Sequence, residues 1–256
     1  MAELVEVRRD GRVLRVALNR PEKRNALSLE LCRALVAAFG EADQDPAAGA
    51  ILLTGNGKAF CAGMDLAEIL DADSGAIDRV HEELFTAGRQ LGKPLVAAVH
   101  GPALGGGTGL AANGHVVLAA EDATFGLTEI RIGLWPFVIF RAVAAAVGER
   151  RTTELALTGR MFGAREAAAY GLVHEVVPPA ELEYRAGEMA AGLAAASPIA
   201  IRHGLRFVRD IQGKDWEEAG RIARRAREEV FRGSDFREGI RAFREKRRPE
   251  WPTRLT

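Results

Sequence analysis

The sequence predicts an α/β core followed by a helical C-terminal module. Three observations lead there. Strand-length apolar runs, Val13–Leu18, Ala50–Thr54, Pro94–Val99 and Val116–Ala120, are separated by stretches with helical spacing. Glycine, proline or asparagine punctuates the joins. From Pro179 onward the pattern is almost wholly helical. With 256 residues, 48% of them apolar, the chain can bury a sizeable core.

Glu3–Arg8 and Val13–Leu18 flank Asp10-Gly11 and read as a hairpin. Pro21–Asn25 is a polar loop. Ser28 caps a helix on which Leu31, Leu35, Ala38 and Phe39 recur at helical spacing, ending near Gly40 or Asp45-Pro46. Ala50–Thr54 is a buried strand, broken by Gly55-Asn-Gly57. The loop Lys58–Asp65 opens a short helix, Asp71–Gly75 reads as mobile, and Asp78–Leu91 is helical. The strand Pro94–Val99 passes through the glycine run Ala103–Gly109 into a short helix, and the strand Val116–Ala120 follows. Arg141–Val147, Thr153–Leu157 and Arg165–Tyr170 are helical, and Leu172–Val177 is a strand. A boundary at Ala196-Ser197-Pro198 divides a core, 1–196, from a helical region, 197–256.

Charge excludes several classes of partner. The 35 basic and 35 acidic residues cancel, so no net field favours nucleic acid or an anionic membrane. Arginines crowd the last fifth, but Glu228, Glu229, Glu238 and Glu245 interleave with them, as on a solvated helix face. Cys32 and Cys61 give neither a disulfide framework nor metal-ligand spacing. The start lacks a signal pattern, and no apolar run approaches the roughly 20 residues of a membrane span. The expectation is a cytoplasmic protein.

The glycine run carries the chemistry. A strand, a tight glycine turn and a helix start leave free backbone N–H groups facing whatever sits at the turn. A second such turn is Ala62-Gly63-Met64-Asp65. If the two face one another, their N–H groups converge into an oxyanion hole for a carbonyl oxygen gaining charge. Glu129, among apolar residues in Phe125–Gly133, is the candidate acid/base, its pKa raised by desolvation. Pairing with Arg131 or capping a helix is the structural alternative. A rival reading takes Gly107-Thr-Gly109-Leu-Ala-Ala112 as a dinucleotide fingerprint of an NAD-dependent oxidoreductase. Only about seven residues of helix precede Asn113-Gly114, short of the ~10–12 that a βαβ crossover needs.

Several stretches resemble the crotonase superfamily, the enoyl-CoA hydratase/isomerase family. They are Arg20–Ser28, Lys58–Asp65, Lys93–Gly101, Ala103–Gly107, Leu157-Thr-Gly159, Gly171-Leu-Val173 and Arg237–Arg247, in the family's order along nearly the whole chain. The resemblance implies a spiral of ββα units, a C-terminal helical trimerisation region, a homotrimer or hexamer, and acyl-CoA thioester substrates. It implies no metal or redox cofactor, coenzyme A being part of the substrate. The oxyanion N–H groups fall to Met64 and Gly106. Ala62, Met64, Asp65, Leu66 and Ala67 would line the groove, and Lys23 and Arg24 would meet the CoA phosphates.

Departures from the family pattern matter as much. Hydratases carry two glutamates; here the first position is Gly109 and the second is Glu129. The glycine-rich segment that follows in hydratases is replaced by Leu134–Val138, where Trp135 and Phe137 would line the acyl pocket. One carboxylate suffices to move a double bond, since the same group removes and returns the proton. Hydration of a 2-enoyl-CoA, isomerisation, and a silent acyl-CoA-binding role therefore all stand. His81, Glu82 and Glu83 lie on the helix where related enzymes recruit a replacement acid, although exposed helical charge is usually solvation. Asn113 reads as a helix cap and His115 as structural.

Overall fold

In the computed structural model, which describes residues 3–69 and 74–254, the chain opens on the hairpin its alternation requires. β1 (Val5–Asp10) pairs antiparallel with β2 (Val13–Leu18), and Gly11 takes a φ of 53° in the turn. A 3-10 turn, Pro21–Lys23, leads to α1 (Leu29–Gln44). The Ser28 hydroxyl accepts the Leu31 N–H at 3.1 Å, and the helix runs through Gly40 to stop ahead of Pro46. β3 (Ala50–Gly55) lies parallel to β2. α2 (Leu66–Ile69) and α3 (Ser74–Gln90) follow. Of the segment expected to be mobile, 71–73 lie outside the described residues, and Ser74 and Gly75 begin α3.

β4 (Leu95–Val99) adds parallel to β3. The chain leaves this sheet at Val99, where the apolar run ends, but it does not pass directly into the glycine turn. At Gly101, φ 51°, a Cβ would lie 2.4 Å from the Lys58 carbonyl oxygen, so a close approach redirects the backbone into β5 (Pro102–Leu104). The glycine run thus follows β5, not the Pro94–Val99 strand. Next come α4 (Gly106–Ala112), β6 (Val116–Ala120) and β7 (Thr124–Gly126). After a 3-10 turn at Glu129–Ile132 lie α5 (Phe137–Val147), α6 (Glu149–Thr158), β8 (Met161–Gly163), α7 (Ala164–Tyr170) and β9 (Glu175–Val177). α8 (Leu182–Ala194), α9 (Pro198–Asp210), α10 (Trp216–Arg232) and α11 (Ser234–Glu245) complete the chain.

Two sheets result. One has six strands in the order β1-β2-β3-β4-β6-β9, parallel except at the hairpin. The other has three, β5-β7-β8. Both faces of the large sheet's central strands β3, β4 and β6 are covered, which explains their near-continuous apolar runs, whereas β1 is exposed from Val7 onward. Ile51, Leu53, Leu95 and Val99 join Leu31, Leu35 and Phe39 of α1 in one core. Ala50, Leu52, Val96 and Leu118 face α8, whose Ala186, Ala190 and Ala194 recur every four residues and let it settle close. Beyond it the chain thins: α9 and α10 bury no residue, and Ser197 caps α9 while its hydroxyl donates to buried Asp235 at 2.6 Å.

Candidate active site

Two isolated β-bridges hold the two glycine turns together. Leu27 bridges Met64: the Leu27 N–H donates to the Gly63 carbonyl at 2.7 Å, and the Asp65 N–H donates to the Leu27 carbonyl at 3.0 Å. That leaves the Met64 N–H with no acceptor among the described residues. Cys61 bridges Ala103, with the Cys61 N–H on the Pro102 carbonyl at 3.1 Å and the Leu104 N–H on the Cys61 carbonyl at 3.0 Å. Gly106 opens α4, where the first N–H groups lack intrahelical acceptors, and its N–H also has no partner among the described residues. A Cβ on Gly63 (φ 93°) would lie 2.7 Å from the Leu104 carbonyl oxygen and 3.6 Å from the Gly106 nitrogen. One on Gly107 would lie 2.1 Å from the Cys61 carbonyl oxygen. The turns do face one another, and glycine is what allows the approach.

Glu129 stands at the head of its 3-10 turn, largely enclosed. Its Oε1 is 2.9 Å from where a Cβ on Gly105 would sit, and Gly105 itself has φ 51°. Its Oε2 is buried with no hydrogen-bond partner. Burial raises the carboxyl pKa above the usual glutamate value, opposed only in part by its own backbone N–H. No ion pair to Arg131 forms among the described residues. The same geometry argues against the dinucleotide alternative, because the turn that would receive a pyrophosphate faces a carboxylate.

Thr108 fixes this arrangement, a role its sequence position does not advertise. Its buried hydroxyl donates to the Ala103 carbonyl at 2.6 Å and accepts the Gly126 N–H at 3.1 Å. The Gly105 N–H donates to the Gly126 carbonyl at 2.8 Å. The glycine turn is thereby tied to the end of β7, three residues before Glu129. A hydroxyl inside a short glycine-rich helix, facing the preceding strand, was the available signal.

A cavity of about 340 Å3 opens over these groups. Of the expected site residues, Ala62, Met64, Leu66, Gly106, Glu129, Trp135 and Phe137 line it. Trp135 stacks on Phe140 with ring centroids 6.1 Å apart, while Phe137 is 71% exposed at the mouth. Five others do not line it. Asp65 is a brace, held by the Arg20 guanidinium at 2.7 Å, which keeps its carboxyl below the usual range. Ala67 is exposed beside it, donating its N–H to Asp65 at 3.2 Å. Lys23 and Arg24 are exposed on the 3-10 turn, next to the groove through the Ala62 N–H on the Arg24 carbonyl at 3.0 Å.

Gly109 is the fifth, and the most informative. It lies buried behind the wall, where a Cβ would be 2.4 Å from Ile139 Cγ2 and 3.4 Å from Phe85 Cδ1. The space of a second glutamate is filled by side chains from α5 and α3. Glu82 and Glu83 do not take its place: both are exposed, and Glu82 pairs with Arg141 at 3.4 Å. His81, however, is buried and lines the cavity. Asn113 caps α4, its Nδ2 donating to the Gly109 carbonyl at 3.0 Å, and His115 accepts the Leu95 N–H at 2.9 Å. Both are structural, as expected.

Known proteins share this framework. The enoyl-CoA hydratase/isomerase family model matches residues 8–254. An enoyl-CoA hydratase of Mycobacterium tuberculosis is 38% identical, over 97% of this chain and 96% of its own. The mevalonyl-coenzyme A hydratase of Aspergillus fumigatus is 35% identical, over 95% and 93%. The crystal structure of an enoyl-CoA hydratase from Mycobacterium smegmatis superposes with a TM-score of 0.92 at 32% identity, covering 98% of this chain and 99% of that one. Paired glycine turns, a two-sheet crotonase-like core and end-to-end similarity agree: the chain belongs to the enoyl-CoA hydratase/isomerase family.

Proposed function

We propose that the protein acts on enoyl-CoA thioesters through a stabilised enolate, with Glu129 as its single acid/base. The thioester carbonyl accepts hydrogen bonds from the Met64 and Gly106 N–H groups, which lowers the cost of charge on that oxygen. Glu129 then takes a proton from carbon, the carbonyl oxygen holds the negative charge, and Glu129 returns the proton. The chemistry calls for no metal or redox cofactor. The observation that carries this reading is the orphaned Glu129 Oε2, buried in the pocket wall beside the glycine turn.

A single proton carrier suits double-bond migration best, because removal and return of one proton complete it. Hydration is the second reading, favoured by relatives named enoyl-CoA hydratases. In that reaction Glu129 accepts a proton from the attacking water and the α-carbon receives one. Ala62, Leu66, Trp135 and Phe137 would form the walls for the thioester and acyl chain, with Lys23 and Arg24 near the CoA phosphates. A catalytically silent acyl-CoA-binding role is separated by one variant. Glu129→Gln is expected to lose at least about 100-fold in turnover, within the usual contribution of general acid–base catalysis, while still binding a saturated acyl-CoA. Full activity in that variant would overturn the assignment. For the assembly we propose a homotrimer, or a hexamer of two trimers, joined through the helices beyond Ser197.

A further inference from the structure

His81 is a polar group that the proposed reaction does not use. Of the five histidines, four have partners. His115 accepts the Leu95 N–H at 2.9 Å and His174 the Val117 N–H at 3.1 Å. His100 lies 3.0 Å from the Gly57 carbonyl oxygen, and His203 3.3 Å from Glu229. His81 makes no hydrogen bond among the described residues, yet it is only 6% exposed.

Its position says what kind of partner it awaits. Ile77, Asp78, His81 and Phe85 share the face of α3 that lines the cavity. The His81 and Phe85 rings are 5.8 Å apart between centroids, and Phe85 Cζ lies 3.2 Å from where a Cβ on Gly106 would be. One aromatic ring therefore separates the imidazole from the turn that would hold the thioester carbonyl. Leu27, Leu66, Ile77, Val138 and Ile139 supply apolar wall around it, and Asp78, Thr128 and Glu129 are the other polar side chains that line the cavity. An unsubstituted acyl chain entering here would displace any water on the imidazole and leave it unpaired.

We propose that His81 is a specificity residue, holding a neutral oxygen on the acyl chain, a hydroxyl above all, at a point remote from the reacting carbons. This rests on the acyl-CoA reading above. Burial pushes the His81 pKa down, the Asp78 charge only partly opposing it, so the ring is neutral at ordinary pH. A neutral imidazole offers one donor and one acceptor, the complement of a hydroxyl. A site built for such a group rejects the analogue that lacks it.

Saturated thioesters test this without turnover. Calorimetry would compare hexanoyl-CoA and octanoyl-CoA with their ω-hydroxy counterparts on the wild type, His81→Leu and His81→Gln. The expected result is that an ω-hydroxy thioester binds the wild type roughly tenfold tighter than its parent, about 1.4 kcal/mol. His81→Leu should reverse the preference, and His81→Gln should keep part of it. No preference in the wild type, or equal weakening of both ligands in His81→Leu, would overturn the proposal. Failure of the wild type to bind any of the four would overturn the acyl-CoA reading as well. Binding with the expected preference, but full turnover in Glu129→Gln, would leave His81 standing and remove the proposed mechanism.

Discussion

At Glu129 the fold and the proposed chemistry pull in opposite directions. Enclosing a carboxyl oxygen without a partner disfavours the ionised form, and this burial raises the Glu129 pKa from the ordinary 4.5. As a base it must be ionised, so kcat/KM for double-bond migration should rise with pH through an inflection above the normal glutamate range. The same shift has a sign for stability. The folded state binds this proton more tightly than the unfolded chain, so folding loses stability as pH rises from the unfolded to the folded pKa. Glu129→Gln is therefore expected to melt at a higher temperature than the wild type at neutral pH, as scanning calorimetry would show. Gly109 gives the converse case. Gly109→Glu, intended to restore a second acid, drives its side chain into Ile139 and Phe85. It should cost about 1–3 kcal/mol in denaturant unfolding and bring no gain in hydration. The absence of a second glutamate was legible in the sequence; the side chains filling its place were not, since they come from two elements remote in sequence.

Among the elements, the turns were legible because each carries a residue with one physical use. Asn25, at φ 55°, shows why a polar loop was rightly expected after β2: its buried amide donates to the Asn56 and Ala59 carbonyls at 2.9 and 2.8 Å. The small sheet was not legible. Its strands have three residues each, too few to show alternation, and they are set by contacts across the fold. Thr108 is the tie between that sheet and the glycine turn. Thr108→Val keeps the volume but removes the hydroxyl bonded to Ala103 and Gly126. The expected cost is about 1–3 kcal/mol in urea unfolding. Because the tie also positions Glu129, kcat should fall more than KM rises; an unchanged kcat would reduce Thr108 to a packing role.

On the scale of the whole molecule, the apolar side chains of the core are enclosed and several on the C-terminal helices are not. Trp216 is 94% exposed and Phe243 85%, while α9 and α10 bury no residue of their own. Apolar groups so placed are the surface through which the proposed trimer would be joined. The sequence showed the helices but not this imbalance, because helical spacing does not say what the apolar stripe packs against. If the proposed trimer forms there, Phe243→Glu is expected to shift it toward monomer in sedimentation velocity, with the two glycine turns intact. A wild type that sediments as a monomer would contradict the proposed assembly. Among the described residues, no helix is long and apolar enough to cross a membrane.

The central claim is that one buried carboxylate, opposed by two backbone N–H groups, carries the chemistry. Product analysis with 2-enoyl-CoA and 3-enoyl-CoA in heavy-oxygen water, on the wild type and Glu129→Gln, tests it most directly. The expected result is migration of the 3-enoyl double bond without incorporation of heavy oxygen at that step, lost in Glu129→Gln. Heavy oxygen entering the 2-enoyl substrate, also lost in Glu129→Gln, would assign hydration to the same residue. Turnover of either thioester that survives Glu129→Gln unchanged would contradict the account.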